Sequence, residues 1–181
     1  MKNILIVGAG GQIGSELVPH LQKIYGNDHV VATDINCNSC VKLAENGPFE
    51  ELDALNAERF VEIVKKYKID TIFNLVALLS ATGEKNPQLA WKINMGALMN
   101  SLEISREYNC AVFTPSSIGA FGPSSPKDNT PQDTVMRPST IYGVCKVTGE
   151  MLSDYYFQRF GVDSRSVRFP GIISNVTLPG G

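Results

Sequence analysis

Histidine is scarce: His20 and His29 are the only two in 181 residues, one in the first predicted helix and one at a strand start. A zinc centre that draws on histidine ligands has little material here. The four cysteines, Cys37, Cys40, Cys110 and Cys145, sit among elements of an intracellular type, so reduced thiols are expected rather than a disulfide framework. Cys37 and Cys40 have the spacing of a thiolate pair, but no second ligand pair accompanies them. A plain loop with two thiols is the reading, and no metal is expected. Basic blocks are also absent, and the net charge is -2, which excludes the electrostatic footprint of a nucleic-acid binder. No apolar run approaches the roughly 20 residues of a membrane span. No segment near Met1 has the apolar core or Arg-rich amphipathic character of a targeting signal. The expectation is a cytoplasmic protein with a small-molecule substrate and neither a nucleic-acid nor a membrane partner.

What the chain does have is a 43% hydrophobic composition, enough for one sizeable core, and the length suits a single domain over residues 1–181. Its organising stretch comes first. Lys2-Asn3-Ile4-Leu5-Ile6-Val7 reads as a buried β-branched strand, and Gly8-Ala9-Gly10-Gly11-Gln12-Ile13-Gly14 follows at once. Glycines in such a turn let the backbone approach a pyrophosphate, whose charge then rests on the N–H groups opening the next helix. Ile13, Leu17, Leu21 and Ile24 recur at helical spacing in that helix, where Pro19 predicts a kink. A strand from His29 to Thr33 then ends in Asp34, about 20 residues past Gly14. A carboxylate there suits a ribose diol and would repel a 2′-phosphate. No arginine adjoins it, so the cofactor expected is NAD rather than NADP.

Strands and helices then alternate, which predicts an α/β fold: a Rossmann-type, doubly wound parallel sheet with helices on both faces. Pro48 to Leu52 reads as a third strand ending at Asp53. A helix burying Ala57, Phe60, Val64 and Tyr67 leads to a fourth strand, Thr71 to Val76. Gly8, Asp34, Leu52, Asp53, Leu75 and Ala77 thus reach one sheet edge, the cofactor edge, with Gln12 and Ile13 inside the glycine turn. The loop from Ala77 to Gly83 carries Ser80, a candidate substrate contact or simply a solvated serine. A long helix from about Pro87 to Tyr108 carries Trp91, Leu98 and Leu102 on one face, with Asn94 within it. A fifth strand, Cys110 to Thr114, delivers Ser116 and Ser117 to the same edge. Beyond it a proline-punctuated loop, too long for an ordinary connection, precedes a helix bearing Tyr142 and Lys146 four residues apart, on one face.

Ser117, Tyr142 and Lys146 together suit hydride transfer at an alcohol carbon. The hydroxyl must lose a proton as hydride leaves, and a phenol is a poor base until its pKa is lowered, which a nearby ammonium does. Ser117 would hold the oxygen on which charge develops. Tyr142 is the base expected.

The wider glycine spacing Gly8-x-x-Gly11-x-x-Gly14, Trp91-Lys92-Ile93-Asn94, Ser117 and Tyr142-x-x-x-Lys146 occur in the order seen in the extended short-chain dehydrogenase/reductases, which this chain resembles from Met1 to about Gly171. Within that family, Pro115 to Pro123, Thr140 to Lys146 and Val167 to Ser174 resemble the short-chain-type L-threonine 3-dehydrogenases. Ser117 departs from the threonine more usual there but keeps the hydroxyl. The resemblance implies NAD-dependent oxidation of the L-threonine C3 hydroxyl without metal, and pairing of two copies through the two long helices. It also implies that Asn94 lies under the active site, as against a solvent-facing helical asparagine. Asp53 would touch the adenine amino group, as against a surface turn residue, and Pro170, Gly171 and Ile172 would line the nicotinamide. Leu178-Pro179-Gly180-Gly181 resembles the start of a segment that contacts substrate, placing Gly180 beside Ser80, Ser117 and Tyr142. The sequence stops inside it, so most of a substrate lobe is expected to be missing. Two other readings stay open: a nucleotide-sugar epimerase or dehydratase of the same family, where an asparagine is usual in place of Pro170-Gly171, and a non-catalytic NAD-binding module.

Overall fold

The structure, a computed structural model, describes residues 1–35, 43 and 45–174. Cys37, Cys40 and Gly180 lie outside the described residues. Six strands form one parallel sheet: β1 (Ile4–Val7), β2 (Val30–Asp34), β3 (Phe49–Glu51), β4 (Thr71–Asn74), β5 (Ala111–Phe113) and β7 (Ser164–Arg165), in the order β3-β2-β1-β4-β5-β7. The chain winds outward from β1 to β2 and β3, then returns to the other side through β4. Their carboxyl ends therefore part at β1 and β4, where Val7 pairs with Thr33 on one side and Asn74 on the other. In open α/β sheets that crevice receives ligands.

Burial explains the winding. All four residues of β1 are at most 1% exposed, as expected of a central strand covered on both faces. Ile4 and Ile6 pack with Val18 and Leu21 of α1 (Gln12–Tyr25), while Leu5 and Val7 belong to a larger core with α2 (Ala57–Tyr67), α4 (Pro87–Tyr108) and α5 (Ile141–Phe160). The predicted doubly wound α/β arrangement is thus present. A four-residue helix, α3 (Ser80–Gly83), follows the β4 loop. Two further strands stand apart, β6 (Ser116–Ser117) and β8 (Arg168–Phe169), paired in parallel with each other. Among the described residues no helix is long and apolar enough to cross a membrane.

Several expectations need correction. Ile24 is 58% exposed and Trp91 45%, because each lies near a helix end where the periodic face runs past its neighbours. Ala57 is likewise exposed, and Ile63 fills the core position beside Phe60 and Val64. Strand limits shrink too: β1 begins at Ile4 rather than Lys2, and β4 ends at Asn74, where its pairing with β1 stops.

Candidate active site

The glycine turn is shaped by three different demands. Gly8 has φ 85, a conformation that favours glycine, and a Cβ there would come within 3.2 Å of the Val76 nitrogen. Gly14 is packed so tightly that a Cβ would stand 2.5 Å from the Ala9 carbonyl oxygen. Gly11 is different: its nearest neighbour would be the Gly8 carbonyl oxygen at 3.4 Å, so that face is open. Gly11 caps α1 with no side-chain acceptor, and the first helical turn carries no acidic residue. The helix therefore presents unsatisfied N–H groups and its positive end to any anion placed there.

Asp34 turns toward this loop, its Oδ2 accepting from the Gly10 N–H at 2.9 Å. Two cavities meet at Gly8, Gly11, Leu75, Val76 and Ala77. One, of about 370 Å³, is walled by Asp34, Ile35, Leu52, Asp53, Lys92 and Ile93. The other, of about 270 Å³, reaches past Gln12 and Ile13 to Ser117, Tyr142, Lys146 and Pro170. End to end they form a trough with a carboxylate at one end, helix N–H groups in the middle and the Ser-Tyr-Lys trio at the other. A turn closed tightly against backbone at Gly8 and Gly14 but open at Gly11, an uncapped helix and a carboxylate at the far end all fit a dinucleotide. Two hollows of about 720 Å³ lie elsewhere, one around Asp70 and Phe160 and one around Asp133 and Asp154. Neither touches the glycine turn or Tyr142, so size alone does not mark the site.

The trio is assembled by three local devices. Thr140 caps α5, its hydroxyl accepting from the Gly143 N–H at 3.0 Å, which places Tyr142 in the first turn. Gly143 lets that turn press on the preceding loop: a Cβ would lie 2.3 Å from the Gly119 carbonyl oxygen. Ser117 ends β6 and accepts from the Gly119 N–H at 3.1 Å. Lys146, one turn along α5, donates to the Pro115 carbonyl at 2.6 Å and lies 5.2 Å from the centre of the Tyr142 ring.

Burial dominates the electrostatics of the pair. Burial pushes the Tyr142 phenol above its ordinary value, with a hydrogen bond from Ser117 pulling the other way. Burial also pulls Lys146 down to about 8, against a smaller opposing influence of Cys145. In both groups the removal of the charged form from water is the largest cause.

Other predicted residues take distinct places. Asn94 is buried and clasps one backbone residue twice: its Oδ1 accepts from the Leu78 N–H at 2.6 Å and its Nδ2 donates to the Leu78 carbonyl at 3.1 Å. It is thus no solvent-facing asparagine; it anchors the loop carrying Ala77 and does not itself face the cofactor trough. Asp53 lines the Asp34 end and also holds its own turn, accepting from the Leu55 N–H at 2.9 Å. Pro170 and Ile172 line the second cavity, but Gly171 between them faces open space, where a Cβ would meet nothing within 4 Å. Ser80 opens α3 and is not among the residues lining either cavity. Gln12 gains a partner no local pattern announces, its amide donating to the Ile172 carbonyl at 3.1 Å. Sequence reading missed Phe169, Lys92 and Ile93 among the lining residues; the last two directly follow Trp91 on α4.

Comparison with known proteins agrees with this geometry. The NAD dependent epimerase/dehydratase family profile matches residues 4–177. A Staphylococcus saprophyticus protein described as an uncharacterized epimerase/dehydratase is 59% identical over all 181 residues, which cover 57% of its length. The X-ray structure of L-threonine dehydrogenase from Clostridium difficile superposes with a TM-score of 0.96 at 56% identity, over 100% of this chain and 57% of that one. A holo-form L-threonine dehydrogenase from Cupriavidus necator gives 0.91 at 45% identity, over 99% and 57%. The chain therefore spans little more than half the length of the relatives it matches. Their likeness covers the glycine turn, Asp34 and the Ser-Tyr-Lys wall alike, and the chain belongs to the NAD dependent epimerase/dehydratase family.

Proposed function

We propose that this chain is the cofactor-binding and catalytic part of an L-threonine 3-dehydrogenase, oxidising the C3 hydroxyl of L-threonine to 2-amino-3-oxobutanoate with NAD. The observation that carries the reading is that Ser117, Tyr142 and Lys146 share one cavity wall opposite Gly11, Gln12 and Ile13. Similarity to solved L-threonine dehydrogenases supports the substrate.

Gly8, Gly11 and Gly14 would seat the pyrophosphate, Asp34 the ribose diol, and Pro170 with Ile172 the nicotinamide end. Bound NAD supplies the acceptor for the hydride leaving C3, and its oxidised ring adds a positive charge. Ser117 donates to the reacting oxygen, and Tyr142 takes the hydroxyl proton onto its phenolate oxygen. Its pKa, raised by burial, makes the phenolate scarce but strongly basic. Lys146 holds the Pro115 carbonyl and so the strand end bearing Ser117.

Calorimetric titration of NAD, with and without L-threonine and with NADH absorbance followed, tests the proposal. NAD binding tightened by threonine, or growing absorbance, supports it. NAD binding indifferent to threonine but tightened by a nucleotide sugar would favour the epimerase reading instead. Tyr142→Phe should lower turnover by about 10²–10⁴-fold and leave NAD affinity within about twofold; unchanged turnover would refute Tyr142 as the base.

The same proposal includes a cytoplasmic homodimer. Val144, Met151 and Tyr155 recur at helical spacing on α5 and are 39%, 65% and 52% exposed, an apolar stripe suited to pairing with a second copy. Sedimentation should show a dimer that Met151→Glu converts to monomer.

A further inference from the structure

Behind the trio lies a second polar assembly. Tyr142, Lys146 and Glu150 follow each other at intervals of four on α5, so all three face β6. The Glu150 carboxylate accepts from the Ser116 hydroxyl, from Arg168 Nε at 2.9 Å and from Arg168 Nη2 at 2.7 Å. Arg168 also donates to the Gln132 carbonyl at 3.0 Å and stacks 5.2 Å from the centre of the Phe121 ring. Its partner across the small sheet is Ser116, while Ser117 pairs with Phe169.

β6 and β8 are two residues each. Such a pair has little stability of its own, yet it carries Ser117 and leads into the Phe169–Pro170 wall of the cavity. The Glu150–Arg168 ion pair supplies what the strands lack. Both side chains are only about 15% exposed (16% for Glu150, 15% for Arg168), and between them they take part in four hydrogen bonds and a ring contact. Burial alone would raise Glu150, but hydrogen bonds from Arg168 and Ser116 outweigh it and hold the carboxyl below its ordinary value. Partly buried ion pairs seldom stabilise a fold more than apolar packing would; a bidentate one fixes geometry.

We propose that Glu150 and Arg168 form a positioning pair that joins α5, β6, β8 and the loop at Gln132, and so sets Ser117 against Tyr142. The proposal rests on the catalytic reading of those two residues. Glu150 acts through Ser116, and Arg168 through β8, the strand it begins.

The test compares the 181-residue chain with Glu150→Gln, Arg168→Lys and the double variant. Amide exchange at Gly119, whose N–H rests on Ser117 Oγ, should rise about tenfold or more in each single variant. The double variant should rise no further than the larger single effect. Amides of β1 should be unchanged, and NAD affinity should stay within about threefold. With L-threonine, kcat should fall at least about tenfold while KM changes less than about threefold. Unaltered Gly119 exchange in folded variants, or fully additive effects, would overturn the pair; so would a fall in turnover carried by KM alone. If the wild-type chain does not oxidise threonine, the exchange measurements alone decide on the pair, independently of the functional reading. Should Glu150→Gln not fold, Ser116→Ala takes its place: faster exchange confined to Gly119 and its neighbours supports the proposal, and none refutes it.

Discussion

Replacing Lys146 by methionine should make the protein more stable at neutral pH while abolishing its chemistry. Burial draws the Lys146 pKa from 10.5 down to about 8. At 1.36 kcal/mol per pH unit this corresponds to about 3 kcal/mol of unfavourable charge burial at pH 7. Methionine has a similar volume and no charge, but it leaves the Pro115 carbonyl without its donor at 2.6 Å, a loss of about 1 kcal/mol. The net expectation is a gain of about 2 kcal/mol. Its pH dependence follows from the direction of the change. Folded Lys146 binds its proton less tightly than the unfolded chain, so between about 8 and 10.5 the unfolded state holds more protons and wild-type stability climbs. The advantage of methionine is complete below pH 8 and is gone by about pH 10.5, where the wild type leads by the retained hydrogen bond. Urea unfolding followed through Trp91, the single tryptophan, at pH values from 6.5 to 10.5 would read this directly. A variant less stable than wild type at pH 7, or a gap that is the same at pH 7 and pH 10, would refute the argument.

Gly14→Ala should destabilise by about 1–3 kcal/mol in the same assay, because its Cβ would stand 2.5 Å from the Ala9 carbonyl oxygen and both partners are backbone. Asp34→Asn should weaken NAD about tenfold and narrow the preference over NADP, measured by titrating both. Asn94→Ala removes both hydrogen bonds to Leu78; a loss of about 2–3 kcal/mol in urea is expected, with weaker NAD binding as the Ala77 loop loosens.

Periodicity carried the sequence reading as far as faces and order. The apolar run Ile4–Val7 and Pro87 near a helix start announce a strand and a helix through local physics, and the structure places them there. Ile24 and Trp91 show where local physics stops: a helical period tells which side of a helix is apolar, not how far the neighbouring layer extends to cover it. Chemistry-bearing residue types were readable because few other combinations could bind a dinucleotide and hold Ser, Tyr and Lys together. What they do to each other was not. The Lys146 pKa depends on how completely the site excludes water, and the Asn94–Leu78 and Glu150–Arg168 contacts depend on tertiary placement that no spacing encodes.

The hydrogen bond from Gln12 to Ile172 links positions 160 residues apart, so one cavity wall is written at each end of the described chain. During synthesis at about 5–20 residues per second, roughly 8–32 s separate the appearance of the glycine turn from that of the residue that completes its enclosure. β1 does not wait that long for its own neighbours: β2 and β4, which flank Ile4–Val7, are complete by residue 74. The wall at Pro170 and Ile172 therefore closes over a sheet already laid down, and the site is finished after the core that carries it.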